Sequence, residues 1–137
     1  MSHGDVDIVR KVYDAWSSSD PVSAFGYLDP DVVWEAIEDA PDAGTYRGHA
    51  GVKRYMDDWL QDFEDFAFEF DKPIEVDGRL ILEQWARNRG KGSGLETEIH
   101  YGAVYTFRGG KVLTVNEYNT HADALAAVGL PEDARSG

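Results

Sequence analysis

The sequence predicts an α+β fold in which helices pack on one face of a curved sheet. Three observations predict it. Apolar residues fall at helical spacing in the first half of the chain. They alternate with period two in the second half, and turn residues separate the alternating runs. At 137 residues the chain can close one core, and no repeat or linker divides it. A single domain over residues 1–137 is expected, with its core at about 5–130 and a loose tail at 131–137.

The elements follow in order. Val9, Val12, Tyr13 and Trp16 make one stripe in "DVDIVRKVYDAW", an amphipathic first helix ended by "SSSDP". Asp20-Pro21 starts a short second helix carrying Val22, Phe25 and Leu28. "VVWEA" reads as a strand, and "IEDAPDAGTYRGH" as an irregular acidic loop. A third helix from about His49 to Phe63 carries Val52, Tyr55, Met56, Trp59, Leu60 and Phe63 on one face. "FAFEF" and "RLILEQWARNR" are strands joined through the hairpin turn "VDGR". "GKGSG" is a hairpin tip. In "LETEIHYGAVYTF" the residues Leu95, Thr97, Ile99, Tyr101, Ala103, Tyr105 and Phe107 share a face. "RGG" turns into a last strand, "KVLTVNEYN". Thr120 and Asp123 then cap a short helix, "HADALAAV", closed by Gly129 and Pro131.

Charge and composition exclude several functions. Twenty-six acidic against thirteen basic side chains give a formal charge of −13, and no basic stripe occurs. Nucleic acid and anionic membrane surfaces are therefore not expected partners, because both demand phosphate neutralisation. With no cysteine, thiol catalysis, disulfides and thiolate metal sites are ruled out. No H-x-x-x-H, H-x-H or carboxylate cluster has ligand spacing, so no metal is expected. No apolar run reaches membrane-span length and the first residues lack a signal-peptide core, so a cytoplasmic location is expected. The aromatic fraction of 12% supplies walls for a core or a pocket.

The opening helix, "YLDPDVVWEA", "GTYRGHAGVKRYM", "YGAVYTFRGGKV" and "NEYNTHADALAAVGL" together resemble the SnoaL-like polyketide cyclases of the nuclear-transport-factor-2-like superfamily. The resemblance runs from about Asp5 to Leu130. It implies a cone: three N-terminal helices on a highly curved, mixed but mostly antiparallel sheet, with a short C-terminal helix. It also implies a deep pocket for a small apolar molecule, no cofactor, and a homodimer paired through the outer sheet face. Ketosteroid isomerases, epoxide hydrolases, dehydratases and ring cyclases share this fold, as do members with no known activity, so fold alone does not select a reaction.

Candidate residues follow from both lines of reading. The resemblance aligns Glu35 with the catalytic carboxylate of ketosteroid isomerases, a position suited to proton abstraction beside a carbonyl. The plainer reading leaves Glu35 in solvent at a strand end. Parity puts Glu117 and Asn119 on the face of Leu113 and Val115, and the resemblance suggests Glu117 as an acid or base at the pocket mouth. A solvated strand-end glutamate is the competing reading. Two carboxylates in one dry pocket would separate into one acid and one base. Tyr13 and Tyr101 are oxyanion-donor candidates, or core aromatics. The strand acid of ketosteroid isomerases maps onto Ala103, which argues against steroid-type isomerisation. "RNR" lacks the aspartate of the Arg-x-Asp pair in epoxide hydrolases, which argues against that reaction. Trp16, Trp59, Trp85, Tyr101 and Tyr105 are the expected pocket walls, and His121 is the histidine expected near the mouth. The expected activity is acid/base chemistry on an apolar cyclic carbonyl compound: isomerisation, dehydration or aldol-type cyclisation. The alternative is a non-catalytic ligand-binding domain.

Overall fold

A computed structural model describes residues 2–37 and 44–131. The first helix, α1 (Ser2–Trp16), buries Val9, Val12, Tyr13 and Trp16. It stops where the hydroxyls of Ser17 and Ser18 donate to the carbonyls of Tyr13 and Ala15, competing with the helix ladder. A 3-10 helix, Pro21–Tyr27, follows with proline at its start. Leu28, expected at the end of that helix, instead opens β1 (Leu28–Glu35). Part of the expected acidic loop is strand: β2 (Thr45–Arg47) pairs antiparallel with the end of β1. Residues 38–43 of that loop and 132–137 of the expected tail lie outside the described residues.

Helix α2 (Gly48–Asp62) buries Val52, Tyr55 and Met56 against β1. Then come β3 (Phe63–Val76), β4 (Arg79–Gly90), β5 (Glu96–Arg108) and β6 (Lys111–Tyr118). The sheet order is β2-β1-β6-β5-β4-β3; β1 and β6 run parallel, and the other pairs are antiparallel. The last helix, α3 (His121–Ala127), is capped by Thr120, whose side chain accepts from the Asp123 N–H at 3.0 Å. The α+β architecture expected from the sequence is present, with four helical segments among the described residues.

Curvature has local causes. The β3–β4 register shifts twice, between Glu64 and Ala67 and between Asp71 and Ile74. Asp65 and Lys72, within those shifts, take φ of 50° and 52°, as bulges that bend a strand require. Both faces of the bent sheet are covered. The inner face, with Leu80, Leu82, Ala103, Tyr105 and Val115, packs on α1 and α2. On the outer face Ile74, Ile81 and Val104 pack under Ala124 and Leu125 of α3. Among the described residues no helix is long and apolar enough to cross a membrane.

Strand direction creates an open end. The C-terminal ends of β1 and β6 lie beside the N-terminal part of β5, because β6 runs parallel to β1 and antiparallel to β5. The β5–β6 ladder ends at Gly102 and Tyr118, so Glu96–Tyr101 overhangs β6 and pairs only with β4. This end is the mouth of the cone.

Gly102 is where α3 seats on the sheet. A Cβ there would meet His121 Cα and the Thr120 carbonyl oxygen, each at 2.8 Å, and Ala124 Cβ at 2.9 Å. These are backbone atoms and a helix methyl, which cannot turn aside. Gly102→Ala should therefore destabilise the protein by about 1–3 kcal/mol, the usual penalty of overpacking. Urea unfolding measures it, and an unchanged midpoint would contradict this close seating of α3.

Candidate functional site

The strand registers decide which side chains face inward. Val32, Trp34 and Ala36 are buried in the core, so Val33 and Glu35 point the other way. Glu35 is exposed, and its pairing partner on β6 is Asn116 of the outer face. At the end of β1 the inward-facing residue is Ala36, not Glu35. Pairing carries the same parity across the sheet. Ala103 faces Glu117, and Gln84 faces Tyr101. Trp85 must then lie outside, where it stacks on His100 with ring centroids 4.7 Å apart. His121 is buried on this outer side too, its Cα against the position of Gly102. Trp85, expected as a wall, therefore does not line the cone interior, and His121, expected near the mouth, stands on the outer face against Gly102.

Glu117 and Asn119 line a cleft of about 440 Å³ at the mouth, together with Glu35, Ala36, Asn116, Tyr118 and Asp123. The structure thus brings the two candidate carboxylates to one cleft, from opposite faces of the sheet. Glu117 also reaches inward. Its Oε1 accepts from the Tyr55 hydroxyl at 3.1 Å and from the Ile37 N–H at 3.3 Å. Those two bonds tie β6 to α2 and to the end of β1.

Inward from Glu117 lies a polar chain inside an apolar shell. The Tyr13 and Tyr105 hydroxyls are 3.0 Å apart. Tyr105 donates in a short hydrogen bond to Gln84 Oε1, and Gln84 Nε2 donates to the Tyr101 hydroxyl at 2.8 Å. All four residues are buried. Burial pushes the phenols of Tyr13, Tyr101 and Tyr105 well above their ordinary range, and the charge of Glu117 adds to the effect. Trp16, Trp34, Phe68 and Phe70 surround Tyr13, Tyr55 packs on Trp16 and Trp34, and Trp59 stands half-buried beside Trp16 and Phe66. The indole N–H groups of Trp16 and Trp34 are buried without a hydrogen-bond partner. An uncommitted buried donor is costly unless a ligand or water meets it.

Gln84 was missed as a candidate. In "RLILEQWARNR" both parities are largely apolar or polar together, so alternation did not mark position 84 as interior. A glutamine flanked by strand residues and facing a tyrosine-rich neighbouring strand is the signal that was present.

On the outer face Glu83 is buried beside Lys72 and His100, at 2.9 Å and 2.6 Å. Burial pushes its carboxyl up, but the hydrogen bonds from Lys72 and His100 outweigh this and hold it below the ordinary value. Burial pushes the His121 imidazole below its ordinary value, and its Nε2 has no partner. Among the described residues no group of His, Asp or Glu is placed to hold a metal ion.

A family model described as a SnoaL-like domain matches residues 9–115. No curated protein sequence matches the chain. Solved structures similar to it include an NTF2-like protein of unknown function from Burkholderia pseudomallei, 21% identical with a TM-score of 0.70, covering 92% of this chain and 98% of that one. A Catenulispora acidiphila protein with a ketosteroid isomerase-like fold, in complex with trimethylamine, is 17% identical with a TM-score of 0.71, covering 93% and 95%. A candidate polyketide cyclase from Xanthomonas campestris is 16% identical with a TM-score of 0.68, covering 93% and 98%. At these identities the likeness establishes the shared fold.

The raised phenol pKa values fix a pH dependence. The unfolded phenols titrate near about 10 and the folded ones higher, so above about pH 10 the folded state holds more protons than the unfolded. Stability is then full below that pH and falls as pH rises above it. In an alkaline titration, phenolate absorbance from Tyr13, Tyr101 and Tyr105 should appear only together with loss of the near-ultraviolet circular dichroism. Ionisation of all seven tyrosines in the still-folded protein would contradict the burial of this chain.

Proposed function

The chain belongs to the SnoaL-like domain family, and from that premise we propose that it is a cofactor-independent acid/base enzyme acting on a neutral, apolar cyclic carbonyl compound. The observation that carries the reading is Glu117. It lines the mouth cleft, and on the inner face it neighbours the tyrosine chain. As a base it removes a proton beside the ligand carbonyl, and the electron pair moves onto the carbonyl oxygen. Tyr101 lies two residues along β5 from Ala103, the partner of Glu117, and supplies a hydrogen bond to that oxygen. The same proton, returned to another carbon or lost with a leaving hydroxyl, gives isomerisation or dehydration. Attack of the enolate carbon on a second carbonyl gives cyclisation. Trp16, Trp34 and Trp59 favour an apolar, planar ligand, and the net charge of −13 disfavours an anionic one.

Glu35 takes no part in this reading, because it faces away from the interior. A second reading, a binding domain without catalysis, is favoured by the alanines at positions 36 and 103, where interior carboxylates would complete an acid–base pair. The reading also has two copies pair through the outer sheet face, where the Trp85–His100 stack reaches the surface. Sedimentation of Trp85→Glu should then shift a dimer to monomers, and an unmoved boundary would remove that part.

The test of the enzyme reading is Glu117→Gln, whose amide oxygen can still accept from Tyr55 and Ile37. On a substrate found by screening neutral cyclic ketones, turnover should fall by about a hundredfold or more with the melting temperature nearly unchanged. Unaltered turnover would remove Glu117 from the chemistry. Binding of such ketones with no turnover by the wild-type protein would favour the second reading.

A further inference from the structure

We infer that Tyr55 is a positioning residue for Glu117: its hydroxyl holds one carboxylate oxygen at the mouth and favours the ionised form of the group. Tyr55 acts through Glu117, so its part in turnover rests on the reading above, whereas the bond itself needs no ligand. Three parts of the chain converge here. β6 supplies the carboxylate, α2 the phenol, and the segment just after β1 a backbone N–H. The Tyr55 hydroxyl and the Ile37 N–H donate to the same oxygen, Oε1, at 3.1 Å and 3.3 Å. An ionised carboxylate only accepts, so the phenol is the donor of the pair.

The hydroxyl is aimed by its ring. Tyr55 is buried, and its ring packs on those of Tyr46, Trp34 and Trp16, with centroids 4.9, 5.8 and 5.8 Å away. Those contacts belong to the ring and do not need the oxygen, so the donor can be removed while the packing stays. The surroundings of Glu117 show what the donor is for. Inward of it stand Tyr13 of α1 and Tyr101 and Tyr105 of β5, whose phenols burial and the Glu117 charge push well above their ordinary range. They face it as neutral groups. Across the mouth cleft the ionisable carboxyls are Glu35 of β1 and Asp123 of α3, and no lysine or arginine is among the described residues of its lining. Partial burial and like charges both disfavour an ionised carboxylate, and hydrogen bonds donated to it act the other way.

The experiment follows Glu117 itself in the ligand-free protein. Its carboxyl carbon-13 resonance, assigned as the one that Glu117→Gln removes, is titrated with pH. Tyr55→Phe keeps the ring and loses the donor, so the Glu117 midpoint should move up by about one pH unit, the worth of one hydrogen bond to a charged group. A ring-fluorinated tyrosine at position 55 is a more acidic phenol and a stronger donor, and should move the midpoint down. An unmoved midpoint in folded Tyr55→Phe would overturn the role of Tyr55. Should that variant not fold, the fluorinated one decides, and a midpoint unmoved or raised there would overturn the role equally. Turnover separates this from the enzyme reading. If Glu117 is the base, the acid limb of kcat/KM against pH moves up in Tyr55→Phe together with the carboxyl titration. A limb that stays while the carboxyl midpoint moves would remove Glu117 as the base and leave the bond from Tyr55 established.

Discussion

The β4–β5 register is the constraint on which the rest depends. Pairing of Gln84 with Tyr101 and of Leu80 with Tyr105 places the Gln84 amide and the Tyr101 and Tyr105 hydroxyls on one face. The same pairing puts Ile81 and Val104 on the opposite face, under α3. Slipping by one residue would send the tyrosines outward and Val104 and Gly102 into the aromatic cluster. It would also take Gly102 from beneath α3. The long ladder, from Arg79↔Thr106 to Arg89↔Glu96, resists such a slip because both faces are buried along its middle. Ion pairs on its overhang hold the far end, with Arg87 on Glu98 and Arg89 on Asp65 and Glu96.

How much of this was legible in the sequence depended on whether one parity was clearly apolar. The inward set on β5 (Tyr101, Ala103, Tyr105) was readable because the alternate positions include Glu98, His100 and Gly102. Helix α2 was readable from its stripe for the same reason. In "VVWEA" both parities are apolar at the start, and only alignment with a neighbouring motif points to the glutamate. Packing settled it: a tryptophan buries more surface than a valine, so Trp34 and not Val33 took the inner face. Glu35 followed from that. The carboxylate at Glu117 was assigned to the face of Val115, and the structure has it there, because on β6 the inner positions Val112 and Val115 straddle a register shift that leaves 115 and 117 in step. β2 was hidden because three residues at an edge carry no periodicity.

The interior that results is electrostatically lopsided. Acidic residues outnumber basic ones two to one, and the pairs Lys72–Glu83, Arg87–Glu69, Arg87–Glu98 and Arg89–Asp65 lie away from the aromatic interior. Inside, the chain offers phenol, indole and amide groups, with Glu117 at the boundary. Neutral donors in a dry setting interact strongly with a neutral carbonyl and do not trap an anion as a permanent partner. On the proposed reading, the ligand would enter uncharged and become negative only on the way to product.

That conclusion limits the chemistry further. Burial raises the phenol pKa of Tyr101, and a phenol that resists ionisation does not hand its proton over completely. In the proposed enzyme it would polarise a carbonyl as a hydrogen-bond donor, and proton removal would fall to Glu117. With alanine at both 36 and 103, those two inward positions hold no acid to share that load. On the proposed reading the transition state is one that a carboxylate base and neutral donors carry between them. Enolisation beside a carbonyl that is already activated, by an aromatic ring or a second carbonyl, meets that condition.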